Sequence, residues 1–313
     1  MVCEAGRAKT QSRNEAGESI SPMRLIWDFE PLGWKSNLQL CPHPVLCQTA
    51  RNPNPQGRPA MTLVASAEAA RVNRRRGEAA DGVTFWHTLY LGTTRYNMAP
   101  GTPDPAADAL FPMAFLVEQD PGSTASAHYH QQDQFQLVVG GHGTLGLHDI
   151  RPVTVHFTGA HTAYGPIRAS ETEGVWYFTL RNGFDPGARF MTMAENRIAL
   201  RTVQGRRHRE SVAGPLEVAT VPTETLLGPD ADGMTAWRYR LAEGGSVTGP
   251  DPAKGGGQYW VVTSGSMIHD GQTLPKMSCA FVLPDDGPFE AIGGPDGLEV
   301  IAMQFPLRNG TPH

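Results

Sequence analysis

Short apolar runs, rich in aromatic and branched residues and separated by polar turns, follow one another along the chain from residue 83 onward. Runs of this length between glycine and proline turns predict β-strands. They lie at 85–91, 111–117, 135–139, 153–157, 175–180, 236–241, 258–263, 278–283 and 298–305. A short helix is predicted at 66–77, with Ser66 as its N-cap. The pattern therefore predicts an all-β fold.

The second half of the chain repeats the first at a nearly constant offset. Five pairs of positions are 124 residues apart: Gln134 and Gln258, Phe135 and Tyr259, Val138 and Val262, Gly141 and Gly265, and Phe157 and Phe281. The tetrapeptide Leu-Arg-Asn-Gly at 180–183 returns at 307–310, after a drift of three residues. A constant offset over several predicted strands indicates two copies of one β unit.

The repeat and the composition along the chain divide it into four parts. Residues 1–60 mix glycine, proline, asparagine and arginine without a sustained period, and we expect an irregular, poorly ordered extension there. The first β unit is predicted over 61–184, an irregular connector over 185–214, and the second β unit over 215–313.

Charge and cysteine content exclude several classes of protein. The net charge is −5, and the longest basic run is Arg74-Arg75-Arg76, which we interpret as a solvated helix end. We therefore expect no nucleic-acid partner.

No apolar stretch reaches the length of about 18 residues that a membrane span requires. Three of the four cysteines precede residue 60, which is not a disulfide framework and fits a cytoplasmic location.

A histidine cluster in the first unit is the main candidate for chemistry. His128 and His130 are separated by one residue, so on a strand both imidazoles lie on one face, and Gln134 has the same parity. His161 follows in the same unit. Three neutral imidazoles that converge would form a site for iron, zinc, copper, nickel or manganese. The alternative is that these histidines only form hydrogen bonds.

The second unit lacks these histidines. The positions 124 residues after His128, His130 and His161 hold Pro252, Lys254 and Asp285. If the first unit binds a metal ion, the second unit is not expected to bind one in the same way.

These residues resemble the cupin family. Its first motif is a glycine, five residues, His-x-His, three or four residues, a glutamate, six residues and a glycine. The matching positions are Gly122, His128, His130, Gln134 and Gly141, with Gln134 in the place of the glutamate. Gly159 and His161 are similar to part of the second cupin motif, one residue closer together. With the repeat, the resemblance covers about residues 83–310 and implies a bicupin, two jelly-roll barrels in tandem, of which the second is degenerate.

The resemblance also implies a metal site inside the first barrel. His128, His130 and His161 would be the ligands of a divalent transition metal, Fe²⁺ first and Zn²⁺, Mn²⁺ or Ni²⁺ as alternatives. Gln134 would be a fourth ligand or a group beside them. A neutral amide in place of the carboxylate leaves the site more electropositive, which favours an anionic small-molecule ligand. Cupins often pair through their sheets, so the resemblance also suggests a homodimer.

Two further residues are candidates for catalysis. Tyr164 offers a phenol that can donate a proton, and Arg168 can hold a carboxylate. Three functions remain open. The first is a non-haem iron dioxygenase acting on a small organic anion or aromatic compound. The second is an isomerase or lyase with a redox-inert metal. The third is a cupin that binds a small ligand without turnover.

Overall fold

The computed structural model describes residues 48–49, 62–218 and 221–307. Nearly all of the predicted N-terminal extension and residues 308–310 of the repeated tetrapeptide lie outside these ranges. Within the described residues the strands are, in chain order, β1 (Gln48–Thr49), β2 (Leu63–Ala65), β3 (Arg74–Glu78), β4 (Thr84–Leu91), β5 (Met113–Gln119), β6 (Thr124–Ala125), β7 (His128–Tyr129), β8 (Gln134–Gly141), β9 (Gly143–Leu145), β10 (His148–Ile150), β11 (Thr154–Thr158), β12 (Ile167–Ala169), β13 (Val175–Arg181), β14 (Arg189–Phe190), β15 (Glu210–Ala213), β16 (Thr223–Leu227), β17 (Thr235–Leu241), β18 (Ser246–Thr248), β19 (Gln258–His269), β20 (Gln272–Pro275), β21 (Cys279–Val282) and β22 (Glu290–Gln304).

Helices contribute little to the described part of the chain. The α-helices are α1 (Ala67–Ala70) and α2 (Ala194–Thr202), and 3₁₀ turns lie at Arg71–Asn73, Arg95–Asn97 and Pro252–Lys254. None of these helices has the length and apolar character that crossing a membrane requires. The predicted all-β fold is confirmed.

The predicted helix at 66–77 is confirmed at its start and wrong at its end. The Ser66 hydroxyl accepts a hydrogen bond from the Ala69 amide at 3.1 Å, as an N-cap does. The Arg74-Arg75-Arg76 run then enters β3 instead of ending a helix. In that strand the Arg74 guanidinium lies 3.9 Å from the ring centre of Trp86 and pairs with Glu118 at 2.8 Å. These contacts to neighbouring strands favour the extended form over the helix.

Two large antiparallel sheets form the molecule. The first has seven strands in the order β15-β11-β8-β13-β5-β4-β3. The second has the order β1-β2-β21-β19-β22-β17-β16, with β18 on β22 and β20 on β19. Smaller sheets, β10-β9-β12-β6 and β14-β7, belong to the first unit. Two segments differ from the predicted boundaries: β2 pairs with β21 in the second sheet, and β15, from the predicted connector, pairs with β11 in the first.

The register of the strands confirms the repeat. Phe135 is opposite Phe157 in the β8–β11 pair, and Tyr259 is opposite Phe281 in the β19–β21 pair. Each central strand also bends at a glycine with a positive φ, 66° at Gly141 and 65° at Gly265. A side chain at either glycine would overlap a glycine carbonyl of the neighbouring strand. The two units therefore share one local geometry and not only a similar sequence.

The two large sheets share one hydrophobic core. Phe135, Leu137 and Phe157 of the first sheet belong to the same buried cluster as Tyr259 and Phe281 of the second. Because side chains alternate along a strand, Gln134 and Gln136 lie on the opposite face of the first sheet. That face lines the interior of the first unit.

Candidate functional site

A cavity of about 440 Å³ lies inside the first unit. Its lining combines apolar and polar side chains from β4, β5, β8 and β13 and from the segment after β13. The apolar lining residues include Phe85, Met113, Phe115, Val117, Tyr177 and Phe190. The polar lining residues include His87, His128, His130, Gln134, Gln136, Tyr164, Thr179, Arg181, Asp185 and Arg189.

His128 and His130 lie on one face, as their spacing predicts. Both rings line the cavity, with their centres 5.3 Å apart. Tyr129, between them, points away and donates a hydrogen bond from its hydroxyl to the Asn196 carbonyl at 3.2 Å. Gln134 is fully buried beside them.

Hydrogen bonds with defined donors and acceptors connect His128, Tyr164 and Gln134. His128 Nδ1 is 2.7 Å from the Ser126 carbonyl, which can only accept, so Nδ1 carries the ring proton. His128 Nε2 therefore accepts, and its partner is the Tyr164 hydroxyl at 2.9 Å. The Gln134 amide donates to the Tyr164 oxygen at 2.7 Å. Burial raises the pKa of the Tyr164 phenol, so it stays protonated and can donate to His128.

Arg181 contacts Gln134 and His130. Its Nη2 donates to Gln134 Oε1 at 2.5 Å and lies 3.1 Å from His130 Nε2. His130 Nδ1 is 2.8 Å from the Asp185 carboxylate, which fixes the ring proton on Nδ1. Arg181 Nη2 is also 3.2 Å from His130 Nδ1, so the guanidinium lies against the ring and not along the lone pair of Nε2. Burial, followed by the charge of Arg181, lowers the pKa of His130, so its ring is neutral. The Asp185 carboxylate is ionised, since its pKa is held low by His130 and Arg181 against the effect of burial.

His161 does not join His128 and His130, which corrects the prediction of three converging imidazoles. It is buried but does not line the cavity. Its amide donates to the His130 carbonyl at 2.7 Å, and its ring lies 6.0 Å from that of Tyr129, on the face of the chain opposite the cavity. The spacing from Gly159 is one residue shorter than in the cupin motif, and His161 adopts a positive φ of 59° in the turn. Both features direct the ring away from His128.

Of the two predicted catalytic residues, the structure places only Tyr164 at the cavity. Arg168 is exposed in β12, between the buried residues Ile167 and Ala169, and it does not line the cavity. Strand alternation directs its side chain to solvent. Arg181, which is 3% exposed, occupies the position at the cavity that the sequence analysis gave to Arg168.

Arg181, Asp185 and His87 are functional candidates that the sequence analysis missed. Arg181 belongs to the repeated Leu-Arg-Asn-Gly tetrapeptide, where it served only as a mark of the repeat. The alternation of side chains along β13 could have identified it, because Thr179 and Arg181 line the cavity while Phe178 and Leu180 lie in the core shared by the sheets.

The four predicted ligands do not fit a metal ion in this arrangement. No group of three or more histidine, cysteine, aspartate or glutamate side chains in the described part of the chain is placed to hold one. The Nε2 atom of His128 already accepts a hydrogen bond from Tyr164, and the Arg181 guanidinium lies 3.1 Å from the Nε2 atom of His130. A guanidinium cation also lies against His130 and Gln134, where a second cation would be repelled.

Comparisons with known proteins bear on the fold. No family model matches the chain, and no curated protein matches it. Among solved structures, the pirin YhhW from Escherichia coli in complex with nickel(II) aligns with a TM-score of 0.52 and 12% identity over 79% of this chain and 100% of that one. A Nostoc punctiforme protein assigned as a dioxygenase aligns with a TM-score of 0.52 and 12% identity over 82% of this chain and 87% of that one. At this identity the likeness shows the fold alone. With its two repeated jelly-roll units, the chain has the fold of a bicupin.

Proposed function

We propose that the first unit binds a small organic carboxylate, with Arg181 as the group that holds the anion. The observation that carries the proposal is the state of this side chain. Arg181 is 3% exposed, lines the cavity, and forms no ion pair with a carboxylate in the described part of the chain. Its Nε has no hydrogen-bond partner there. A buried cation that no carboxylate contacts directly is costly, and an anionic ligand would offset that cost.

Other polar atoms around the cavity also lack partners. Among the described residues, His87 Nε2, Thr94 Oγ1 and Arg189 Nε are buried without a hydrogen bond, and all three residues line the cavity. Buried polar groups in folded proteins are nearly always hydrogen-bonded, so a cluster of exceptions around one cavity indicates a ligand. The donors Arg181 and Arg189 suit carboxylate oxygens.

The charge of the lining agrees with an anion. The lining contains three arginines, Arg95, Arg181 and Arg189, and a single carboxylate, Asp185. Arg95 is neutralised by Asp104 at 2.9 Å, and Asp185 is already bonded to His130. The cavity therefore keeps an excess of positive charge.

The apolar lining suggests the rest of the ligand. Phe85, Phe115, Val117 and Tyr177 contribute rings and branched side chains to the wall. A cavity of about 440 Å³ is within the usual size range for small-molecule sites. A carboxylate on an aromatic or short aliphatic body satisfies both parts of the lining.

Isothermal titration calorimetry on chelator-treated protein tests the proposal. The probes are benzoate, phenylacetate and hexanoate, each beside its neutral amide. We expect at least one carboxylate to bind more tightly than its amide by tenfold or more, because only the anion pairs with Arg181. The same carboxylate should lose that advantage in Arg181→Met. Equal binding of acids and amides, or unchanged binding in Arg181→Met, would overturn the proposal.

The dioxygenase implied by the cupin resemblance is the second candidate, and its support is the His128–His130 pair at the cavity. Unlike carboxylate binding by Arg181, this function requires a bound metal ion. The protein as purified would contain iron and consume oxygen with a bound aromatic or small anion, and chelation would abolish both. A redox-inert isomerase or lyase would retain activity without oxygen but would also lose it on chelation.

A further inference from the structure

We infer that Arg181 replaces the metal ion as the resident cation of this site, and that Gln134 is the residue that makes the replacement possible. The inference goes beyond the binding of a carboxylate and does not depend on which anion binds. It assigns a structural cause to the departure from the cupin motif at position 134.

One of the two acceptor atoms that a metal ion would need already accepts a hydrogen bond, and a cation lies beside the other. His128 and His130 each have the ring proton on Nδ1, fixed by the Ser126 carbonyl for His128 and by Asp185 for His130. Each Nε2 then offers one lone pair to the cavity. Tyr164 donates to that of His128 at 2.9 Å, and the Arg181 guanidinium lies against the His130 ring, 3.1 Å from Nε2 and 3.2 Å from Nδ1.

Gln134 connects these two halves through a donor and an acceptor on one side chain. Its Oε1 accepts from Arg181 at 2.5 Å, and its Nε2 donates to the Tyr164 oxygen at 2.7 Å. Because the Tyr164 oxygen accepts this bond, the phenol proton remains directed at His128. An ionised glutamate has no donor, so it would accept from both Arg181 and Tyr164 and take the phenol proton away from His128. The amide is therefore required for the hydrogen-bond order that the structure shows.

The second unit shows that the amide alone does not create the site. Gln258, at the equivalent position, is also fully buried, and it bonds to the Pro250 carbonyl at 3.0 Å, to Gln304 at 2.9 Å and to the Trp260 indole at 3.1 Å. Trp260 occupies the position of Gln136, 124 residues later, and belongs to the buried cluster of the second unit. Only the first unit combines the amide with an arginine, two histidines and a tyrosine.

Nuclear magnetic resonance of protein labelled with ¹⁵N-histidine tests the inference without an activity assay. Signals are assigned with His128→Gln and His130→Gln. We expect both rings to be neutral and protonated at Nδ1, and both Nε2 signals to remain unchanged with one equivalent of Zn²⁺. Elemental analysis of protein purified without chelator should find iron, nickel, manganese and zinc each far below one equivalent.

Gln134→Glu and the control Gln136→Glu test the role of the amide. Gln134→Glu should change the Nε2 signal of His128, because Tyr164 then donates to the new carboxylate. Gln136 Oε1 accepts from His156 Nδ1 at 2.8 Å, so a carboxylate there should leave the His128 signal in place. A His128 signal that is unchanged in Gln134→Glu, or changed equally in both variants, would refute the role of Gln134.

Two results would contradict the replacement of the metal ion by Arg181. One is a stoichiometric metal ion in the purified protein that is lost in His130→Gln, and the other is movement of both Nε2 signals with one equivalent of Zn²⁺. Failure of carboxylate binding would leave these results unaffected, so the two proposals fail separately.

Discussion

At the scale of single residues, the first unit is organised around the Arg181 guanidinium. It lies 5.5 Å from the ring centre of Phe115, donates to Gln134, lies against the His130 ring, and forms no direct ion pair in the described part of the chain. The sequence alone predicted that His128 and His130 share a face, because that follows from strand alternation. It could not show that Arg181 faces them, because that contact joins residues about 50 positions apart.

Replacing Arg181 by methionine should change the stability of the protein little. The variant loses hydrogen bonds to a charged group, worth about 1.5–3 kcal/mol each, but it also removes a buried cation that has no direct ion pair. We expect a net change in the free energy of unfolding below about 2 kcal/mol, measured by urea denaturation.

Arg238→Met is the matched control. Arg238 is 5% exposed and bonds to Glu224 at 3.1 Å through Nε and to the Glu217 carbonyl at 2.7 Å. This arginine has a carboxylate partner, so its loss should cost more than that of Arg181. A larger cost for Arg181→Met would show that its charge is compensated inside the protein, contrary to the proposed role.

The buried histidines should make the protein less stable in mild acid. Burial lowers the pKa of His87 to about 4 and that of His128 to about 3. In the unfolded chain these groups titrate near pH 6.5, so below that pH the unfolded state binds protons that the folded state does not. Stability is therefore lost as the pH falls from 6.5, by roughly 2 kcal/mol per histidine at pH 5.

Urea denaturation at pH 7 and pH 5 measures this loss, with His87→Gln as the control. The variant should lose about 2 kcal/mol less than the wild type between the two values. The pKa of Asp185 is depressed, so its contribution is lost only below about pH 4 and does not enter this comparison. An equal loss in the wild type and the variant would mean that His87 is not buried in its neutral form.

At the scale of elements, the central strands β8 and β19 determine what each unit presents to its interior. Both strands place aromatic residues on the shared core and polar or large residues on the opposite face, and both contain a glycine with a positive φ, Gly141 and Gly265. The repeat predicted this correspondence because it depends on local pattern. The orientation of His161 was not predictable in this way, because a single residue in the turn with a positive φ determines it.

Gly141→Ala should destabilise the protein more than Gly82→Ala. Both glycines have a positive φ, 66° and 85°, which costs an alanine about 1–2 kcal/mol. Around Gly82 nothing lies within contact distance of a new side chain, whereas at Gly141 it would overlap the Gly174 carbonyl. We expect an additional cost of about 1–3 kcal/mol at Gly141, measured by thermal and urea denaturation. Equal costs would mean that β13 can move away from β8.

At the scale of the whole molecule, the two units have different interiors on one architecture. The first unit contains a cavity, and the buried cluster of the second includes Trp260, which stacks on Tyr239 with ring centres 5.3 Å apart. The units are also connected at the site, because the Tyr259 hydroxyl donates to the Arg181 carbonyl at 3.1 Å. The repeat predicted the tandem fold, and the absent histidines predicted the loss of the second site. The pairing of β2 with the second sheet and of β15 with the first was not predictable, because short strands pair according to tertiary contacts.

Trp260→Ala should reduce the free energy of unfolding by about 3–5 kcal/mol, because it empties the centre of the second unit. The matched control is Trp176→Ala, since Trp176 is 43% exposed and should cost much less. Denaturation followed by circular dichroism measures both. Similar costs would show that the second unit does not depend on its filled interior.

A crystal structure of the protein purified without chelator and grown with 4-bromobenzoate tests the central claim most directly. The account predicts a bromine anomalous peak in the first-unit cavity, the carboxylate within ion-pair distance of the Arg181 guanidinium, and no metal peak between His128 and His130. A metal ion bound to the Nε2 atoms of His128 and His130, with Arg181 turned away, would contradict it.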